Sequence, residues 1–507
     1  MKTTIIGYPR IGNLRELKFA SEKYFRGEIT AAELEQAAKE IRLFNLNLQK
    51  NSGLDLIPSN DFSFYDGVLD TAFLLNAVPA RYSSLGLSKL DTYFAAARGY
   101  QGEKGDVKAL AMKKWFNTNY HYMVPEIDDD TELRLTGTKP FDLFREALEN
   151  GVKTKPVIIG AYTFLKLARF RGQKKAADFI QQAADAYSEL LEKFSALGAE
   201  WVQFDEPSLV MDMTAEDVQL FKALYEQILP HKGSVKVLAQ TYFGDVRDCC
   251  QALCSLGFDG IGLDFVEGKQ SLALVKANGF PKDKVLFAGV VNGKNIWRNS
   301  YAATILTLNQ LKAHASAIVL NTSCSLLHVP CTLANETKLA EGYKKHFAYA
   351  EEKLTELAEL KQIADSDAPF ETEEYRRNAA LHNEKRSGRN DAVKAKVAAL
   401  TAQDFVRQPE FAEREKIQKA RFQLPLFPTT TIGSFPQTAD VKSARTALRK
   451  GELSAADYEK LIERKIAECV ALQEKIGLDV LVHGEFERND MVEYFGECLD
   501  GYLFTEK

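Results

Sequence analysis

No run of 18 apolar residues occurs anywhere in the 507-residue chain, so the sequence offers no segment of the length and character of a membrane-spanning helix. Charge of one sign is also missing: Lys+Arg total 65 against Asp+Glu 70, a net charge of −5. Such balance gives no broad basic field for nucleic acid or anionic lipid, and any anionic ligand must be held by a local cluster. Cysteines are few and odd in number, seven in all, without the spacing of a secreted disulfide framework. Reduced thiols in a cytoplasmic setting are therefore expected. The opening MKTTIIGYPRIG has an apolar run too short for a signal peptide. What the chain does have is 45% hydrophobic and 27% charged residues, which excludes disorder and fibrous repeats and suffices for about three domains.

Eight short apolar or β-branched runs punctuate the first two thirds: 3–7, 54–59, 156–160, 201–207, 235–242, 260–265, 285–291 and 317–324. They are continuously apolar rather than alternating, as strands buried on both faces are, and helical-period segments separate most of them. Strand and helix alternating eight times point to an α/β fold of the (β/α)8 barrel type over residues 1–340. The interval between the second and third runs is oversized and contains KWFNTNYHYMVPE (114–126). Insertions of this kind decorate a barrel mouth. From 341 to 425 the composition turns charged and poor in glycine and proline, which reads as a solvated helical connector.

Residues 26–68 align without a gap on 450–492, an offset of 424, with 13 of 43 positions identical. Just upstream, TIIGYP (4–9) answers TTIGSFP (430–436). Residues 426–507 therefore read as the first strand, helix and second strand of a second barrel, incomplete in this chain. The expectation is a fragment of a longer two-barrel protein; the alternative is a degenerate repeat packed as an appendage.

GYPRIG with RELK, KWFNTNYHYMVPE, WVQFDEP, NGKNIWR, NTSCSLLH, FPTTTIGSFPQT and VLVHGEFERNDMVEYFGE together resemble cobalamin-independent methionine synthase. The resemblance runs the length of the chain. It implies methyl transfer from 5-methyltetrahydropteroyl-triglutamate to L-homocysteine in methionine biosynthesis. It also implies two face-to-face barrels, zinc and no cobalamin. The family's zinc ligands and catalytic histidine would fall beyond Lys507, so the chain itself is expected to hold no metal ligands or catalytic residue, and to be inactive alone. Small-molecule substrates, no nucleic acid or membrane partner, and a monomer complete the expectation.

The resemblance assigns Arg15, Glu16, Leu17, Lys18 and Lys114 to the folate. Asn13 suits an N-cap with Glu16 three residues on, as in a capping box, and Arg15 and Lys18 then share one helical face. Paired cations at a barrel mouth suit a polyglutamate tail, although the spacing alone equally describes a solvated helix face. Lys114 beside Trp115 and Phe116 reads without the family as a snorkelling lysine next to a core anchor. Ile432, Gly433, Ser434 and Glu485 are assigned to homocysteine or methionine: a carboxylate suits the ammonium, while backbone amides and Ser434 suit the carboxylate. A tight strand-end turn with a salt bridge would give the same residues.

Asp205 and Glu206 end the fourth run, where a barrel's acids often do chemistry, or else cap a loop and pair with an arginine. An unrelated barrel enzyme using these two acids, or a folate-binding barrel without catalysis, are the rival readings. Cys324, His328 and Cys331 make a poor metal set, lacking a fourth ligand nearby in sequence.

Overall fold

The structure is a computed structural model that describes residues 1–384 and 390–506. Its chain divides into two compact units, residues 1–384 with the final residues from Thr505, and 385–504.

In the first unit the eight expected runs form eight parallel strands: β1 (Lys2–Thr3), β2 (Ile57–Ser59), β3 (Thr154–Ile159), β4 (Trp201–Asp205), β5 (Lys236–Gln240), β6 (Gly260–Asp264), β7 (Val285–Val291) and β8 (Ile318–Thr322). Their order is β1-β8-β7-β6-β5-β4-β3-β2, and all the pairs are parallel. Thr4 then bridges Leu56 in parallel, so the curled sheet closes on itself. The Asp55 carboxylate secures this joint by accepting from Thr3 N at 2.9 Å and Thr3 Oγ1 at 3.1 Å, while Thr4 Oγ1 donates to Leu56 O at 2.7 Å. β1 and β2 are shorter than their sequence runs, β1 ending before the mouth side of its run and β2 starting late in its own.

The barrel interior is partly polar. Lys155 on β3 is 1% exposed and donates to Ile5 O at 3.0 Å and to Gln203 Oε1 on β4. Gln203 Nε2 donates to Asp205 Oδ1 at 2.7 Å, and Asn321 Nδ2 on β8 donates to Gln240 Oε1 on β5 at 3.0 Å. These bonds satisfy groups that would otherwise be buried at a penalty of about 1–3 kcal/mol each. The long insertion supplies helices and two hairpins; one of these, Met112–Lys114 against His121–Met123, carries the aromatic run.

Part of the stretch expected to be a solvated connector belongs instead to the first unit. The helix Ala350–Asp365 buries Leu354, Leu357, Leu360 and Ile363 completely in the same core cluster as the barrel strands. Even its Lys353 and Glu356 are buried, Lys353 donating to Trp297 O at 3.3 Å and Glu356 Oε1 accepting from Asn299 N at 2.8 Å. Its charged composition hides an apolar stripe at helical spacing. Lys361 from this helix reaches Asp55 at 3.0 Å, reinforcing the β1–β2 joint.

The second unit is built on the helices Ala439–Arg449, Ala455–Ile476 and Met491–Glu497, around a small core of Val441, Ile462, Cys469 and Phe486. The two strands expected here are reduced to one parallel bridge, Ser434 to Gly484, because a strand pair without further neighbours gains little. Asp479 nevertheless accepts from Thr429 N at 2.7 Å and Thr429 Oγ1 at 2.8 Å, and Thr430 Oγ1 donates to Val480 O at 3.0 Å. These are the bonds of Asp55, Thr3 and Thr4 over again.

Leu357→Ala is expected to destabilise the first unit by about 2–5 kcal/mol, the range for emptying a packed leucine site. Denaturant unfolding measures it; a loss below about 0.5 kcal/mol, typical of a surface position, would restore the solvated-connector reading.

Candidate functional site

The C-terminal mouth of the barrel opens into a cavity. Asp61, just past β2, and Asp205, the last residue of β4, line it together with Arg10, Asn60, Lys139 and His328. The insertion hairpin adds Trp115, Tyr120 and Tyr122. Asp61 Oδ2 accepts from Tyr8 N at 2.8 Å, and Asp205 Oδ2 accepts from Tyr242 OH at 3.1 Å. Lys139 pairs with Asp70, and Arg10 Nη1 donates to Ser63 O at 2.9 Å. His328 lies edge-on to Tyr120 with ring centroids 5.6 Å apart, and burial lowers its pKa to about 4, so it is neutral.

Glu206 is not available for chemistry. Its carboxylate accepts from Tyr162 N at 3.0 Å, Thr163 N at 2.7 Å and the Tyr225 hydroxyl, capping the helix Ala161–Leu167. The expected pairing of Asp205 and Glu206 with an arginine is absent among the described residues. Glu206 caps the helix after β3 rather than the loop that follows it.

The folate candidates lie elsewhere. Leu17 is buried, whereas Arg15, Glu16, Lys18 and Lys114 are exposed, and none of these five lines the cavity. The expected capping box at Asn13 is not formed: Arg15 itself is the N-cap of the helix Glu16–Phe25, in the left-handed conformation with φ 65°. Glu16 accepts from Leu14 N at 2.9 Å instead. Lys18 stands 3.7 Å from Glu22, one turn along the helix.

In the second unit Gly433, Ser434 and Glu485 come together. Gly433 has φ 140°, and a Cβ there would lie 2.8 Å from Glu485 Oε1, so a side chain would collide with the carboxylate. Glu485 has φ 58° and pairs with Arg488 at 2.8 Å, the salt bridge weighed as the structural alternative. Ser434 is exposed, and Ile432 is fully so. The first unit repeats the contact: a Cβ on Gly7 would lie 3.4 Å from Asp61 Cβ. Asp61 and Glu485 stand 424 residues apart, in the register of the aligned segments. The cavity-lining role of Asp61, Arg10 and Tyr120 was not read from sequence, although GYPRIG and NTNYHY contain two of them.

The family model described as "Cobalamin-independent synthase, N-terminal domain" matches residues 2–316, more than half of the chain. The chain belongs to this family. A second model, "Cobalamin-independent synthase, Catalytic domain", matches 427–507. The chain is 53% identical over 507 residues to the 5-methyltetrahydropteroyltriglutamate–homocysteine methyltransferase of Lactococcus lactis, and 54% identical over 506 residues to that of Streptococcus gordonii. Both alignments cover 100% of this chain and 66% of the relative. A crystal structure of the putative vitamin-B12 independent methionine synthase from Listeria monocytogenes shares the fold at TM-score 0.50 with 16% identity, over 72% of this chain and 100% of that one. Because the catalytic-domain model matches part of this chain, the expectation of a fragment inactive by itself is unsupported. Among the described residues no three of His, Cys, Asp and Glu converge to hold a metal ion. Cys331 Sγ instead donates to Gly12 O at 3.4 Å, and Cys324 is buried.

Burial raises the carboxyl of Asp61 to about 6, and it raises Asp205 as well, both above the unfolded range near 4. Acids raised on folding contribute stability that is fully present below the unfolded value and lost as pH climbs through the folded one. Asp205→Asn removes that loss, so its effect on unfolding free energy should be more favourable at pH 8 than at pH 5, by about 1 kcal/mol or more. Equal effects at the two pH values would show that Asp205 is not raised.

Proposed function

We propose that this chain serves methyl transfer from 5-methyltetrahydropteroyl-triglutamate to L-homocysteine, giving L-methionine. The observation that carries the reading is the Gly433–Glu485 contact: a carboxylate held by the ends of two adjacent segments, beside a glycine with no side chain to cover it, in the stretch matching the catalytic-domain model. Glu485 receives the amino-acid ammonium; the exposed Ser434 hydroxyl and the backbone at Ile432 and Gly433 receive its carboxylate. In the transfer the substrate sulfur bonds to the methyl carbon, the carbon–N5 bond breaks, and its electron pair stays on N5, which takes up a proton. Zinc, implied by the resemblance, does not fit any described group of residues.

Arg15 and Lys18 meet the anionic glutamate tail of the donor, with Lys114 as a further cation and Glu16 and Leu17 fixing the helix start. Their exposure leaves them open to such a ligand. Residues 426–507 are read as the opening of a second barrel that duplicates the start of the first, with 341–425 joining the two. The recurrence of the Asp55 and Asp479 bonds supports that reading. The unrelated-barrel alternative loses one of its two acids, since Glu206 is fully engaged. The seven unpaired cysteines agree with a cytoplasmic setting, and no described helix is long and apolar enough to cross a membrane.

Glu485→Gln should weaken homocysteine binding by calorimetry about 10–100-fold, roughly 1.4 kcal/mol per tenfold, with little change in melting temperature. A markedly lowered melting temperature with unchanged binding would make Glu485 a structural partner of Arg488. Arg15→Ala with Lys18→Ala should weaken the triglutamyl folate more than the monoglutamyl form, by about 1 kcal/mol at this wet surface. Equal losses for the two tail lengths would remove the tail assignment.

A further inference from the structure

The cavity of the first unit carries carboxylates that the protein itself leaves without a salt bridge. In the 424-residue register Asp61 answers Glu485, and Phe64 answers Arg488. Glu485 has its arginine at 2.8 Å, whereas Phe64 packs edge-on against Phe62 and Phe94 and offers Asp61 no charge. Neither Asp61 nor Asp205 forms an ion pair among the described residues. The cation beneath them, Lys155, is engaged by Ile5 O and Gln203 Oε1 and serves two carboxylates at once. Lys139 is taken by Asp70 and Phe62 O, and Arg10 Nη1 by the carbonyls of Ser63 and Phe64.

A second observation comes from Asn60, held at φ 62° between β2 and Asp61. Its Nδ2 donates to Val157 O at 2.8 Å, while its buried Oδ1, at the cavity lining, has no partner. The remaining walls are aromatic. Trp115 lies edge-on to Tyr122 at 5.8 Å, Tyr120 lies edge-on to His328, and Tyr242 closes on Asp205.

We propose that this cavity binds a small organic ammonium ion carried on an apolar or aromatic body. An ammonium brings three donors and no acceptor, matching Asp61, Asp205 and Asn60 Oδ1. Aromatic faces favour both a cation and a flat apolar group, and a largely apolar cleft with a few convergent polar groups is the usual form of a small-ligand site. An anionic ligand would meet two carboxylates. This site is separate from Glu485 and does not rest on the methyl-transfer reading.

Calorimetry on the chain at neutral pH with phenethylammonium and its uncharged isostere 2-phenylethanol tests the proposal. The amine is expected to bind with Kd about 1 mM or tighter, and the alcohol at least about tenfold more weakly. Asp61→Asn should weaken the amine about tenfold or more, and Glu485→Gln should leave it unchanged. Equal binding of amine and alcohol, no heat from the amine up to about 10 mM, an unchanged Asp61→Asn variant, or loss on Glu485→Gln would each overturn the site. Should Asp61→Asn not fold, the comparison of amine with alcohol on the unaltered chain decides.

Discussion

A parallel sheet with two free edges would leave a row of backbone donors and acceptors unpaired, and the joint between β1 and β2 removes those edges. Beside the bonds of Leu56 to Thr3 and Thr4, one carboxylate fastens it. Asp55 takes the amide and hydroxyl of Thr3 and the ammonium of Lys361, so the first strand, the second strand and the helix Ala350–Asp365 meet at a single side chain. Everything at the mouth depends on that closure: Gly7 and Asp61 are neighbours only because β1 and β2 are. The long insertion then roofs the opening with Trp115, Tyr120 and Tyr122.

The strands were legible because a strand buried on both faces has no polar alternation to preserve, and all eight runs show this. The extent of the first unit was not, because composition does not reveal an apolar stripe that only helical periodicity carries. Ala350–Asp365 is rich in Glu and Lys, yet Leu354, Leu357, Leu360 and Ile363 are buried, and its buried Lys353 and Glu356 Oε1 are bonded to Trp297 O and Asn299 N, while Glu356 Oε2 has no hydrogen-bond partner. At Arg15 the misreading was conformational. Asn13 has the chemistry of a cap, but the chain enters the helix two residues later through a left-handed arginine, a backbone choice that side-chain pattern does not encode. Of the candidate residues, Gly433, Ser434 and Glu485 converge as their spacing implied, whereas the cavity at Asp61 needed the closed barrel to be seen.

The two units also show how one local design tolerates different electrostatics. Glu485 is neutralised three residues along its own chain by Arg488, and the pair is partly open to solvent. Asp61 has no such ion pair and is balanced by Lys155, which Asp205 also uses, and by Lys139. The same backbone therefore presents a compensated acid in one unit and an electron-rich recess in the other.

Gln473 clamps its segment with both ends of its amide: Nε2 donates to Val482 O at 2.7 Å and Oε1 accepts from Val482 N at 2.9 Å. Gln49 occupies the same register in the first unit and makes neither of these bonds: its Nε2 donates to Asn45 O within its own helix, as Gln473 Nε2 also does to Cys469 O, and its buried Oε1 has no partner. The residue answering Val482 is Pro58, which has no N–H to offer. A single imino acid thus removes the donor that would tie Gln49 Oε1, on the helix Ala31–Asn51, to β2. The vacancy is a fossil of the bond, legible only because its counterpart is intact elsewhere in the same chain.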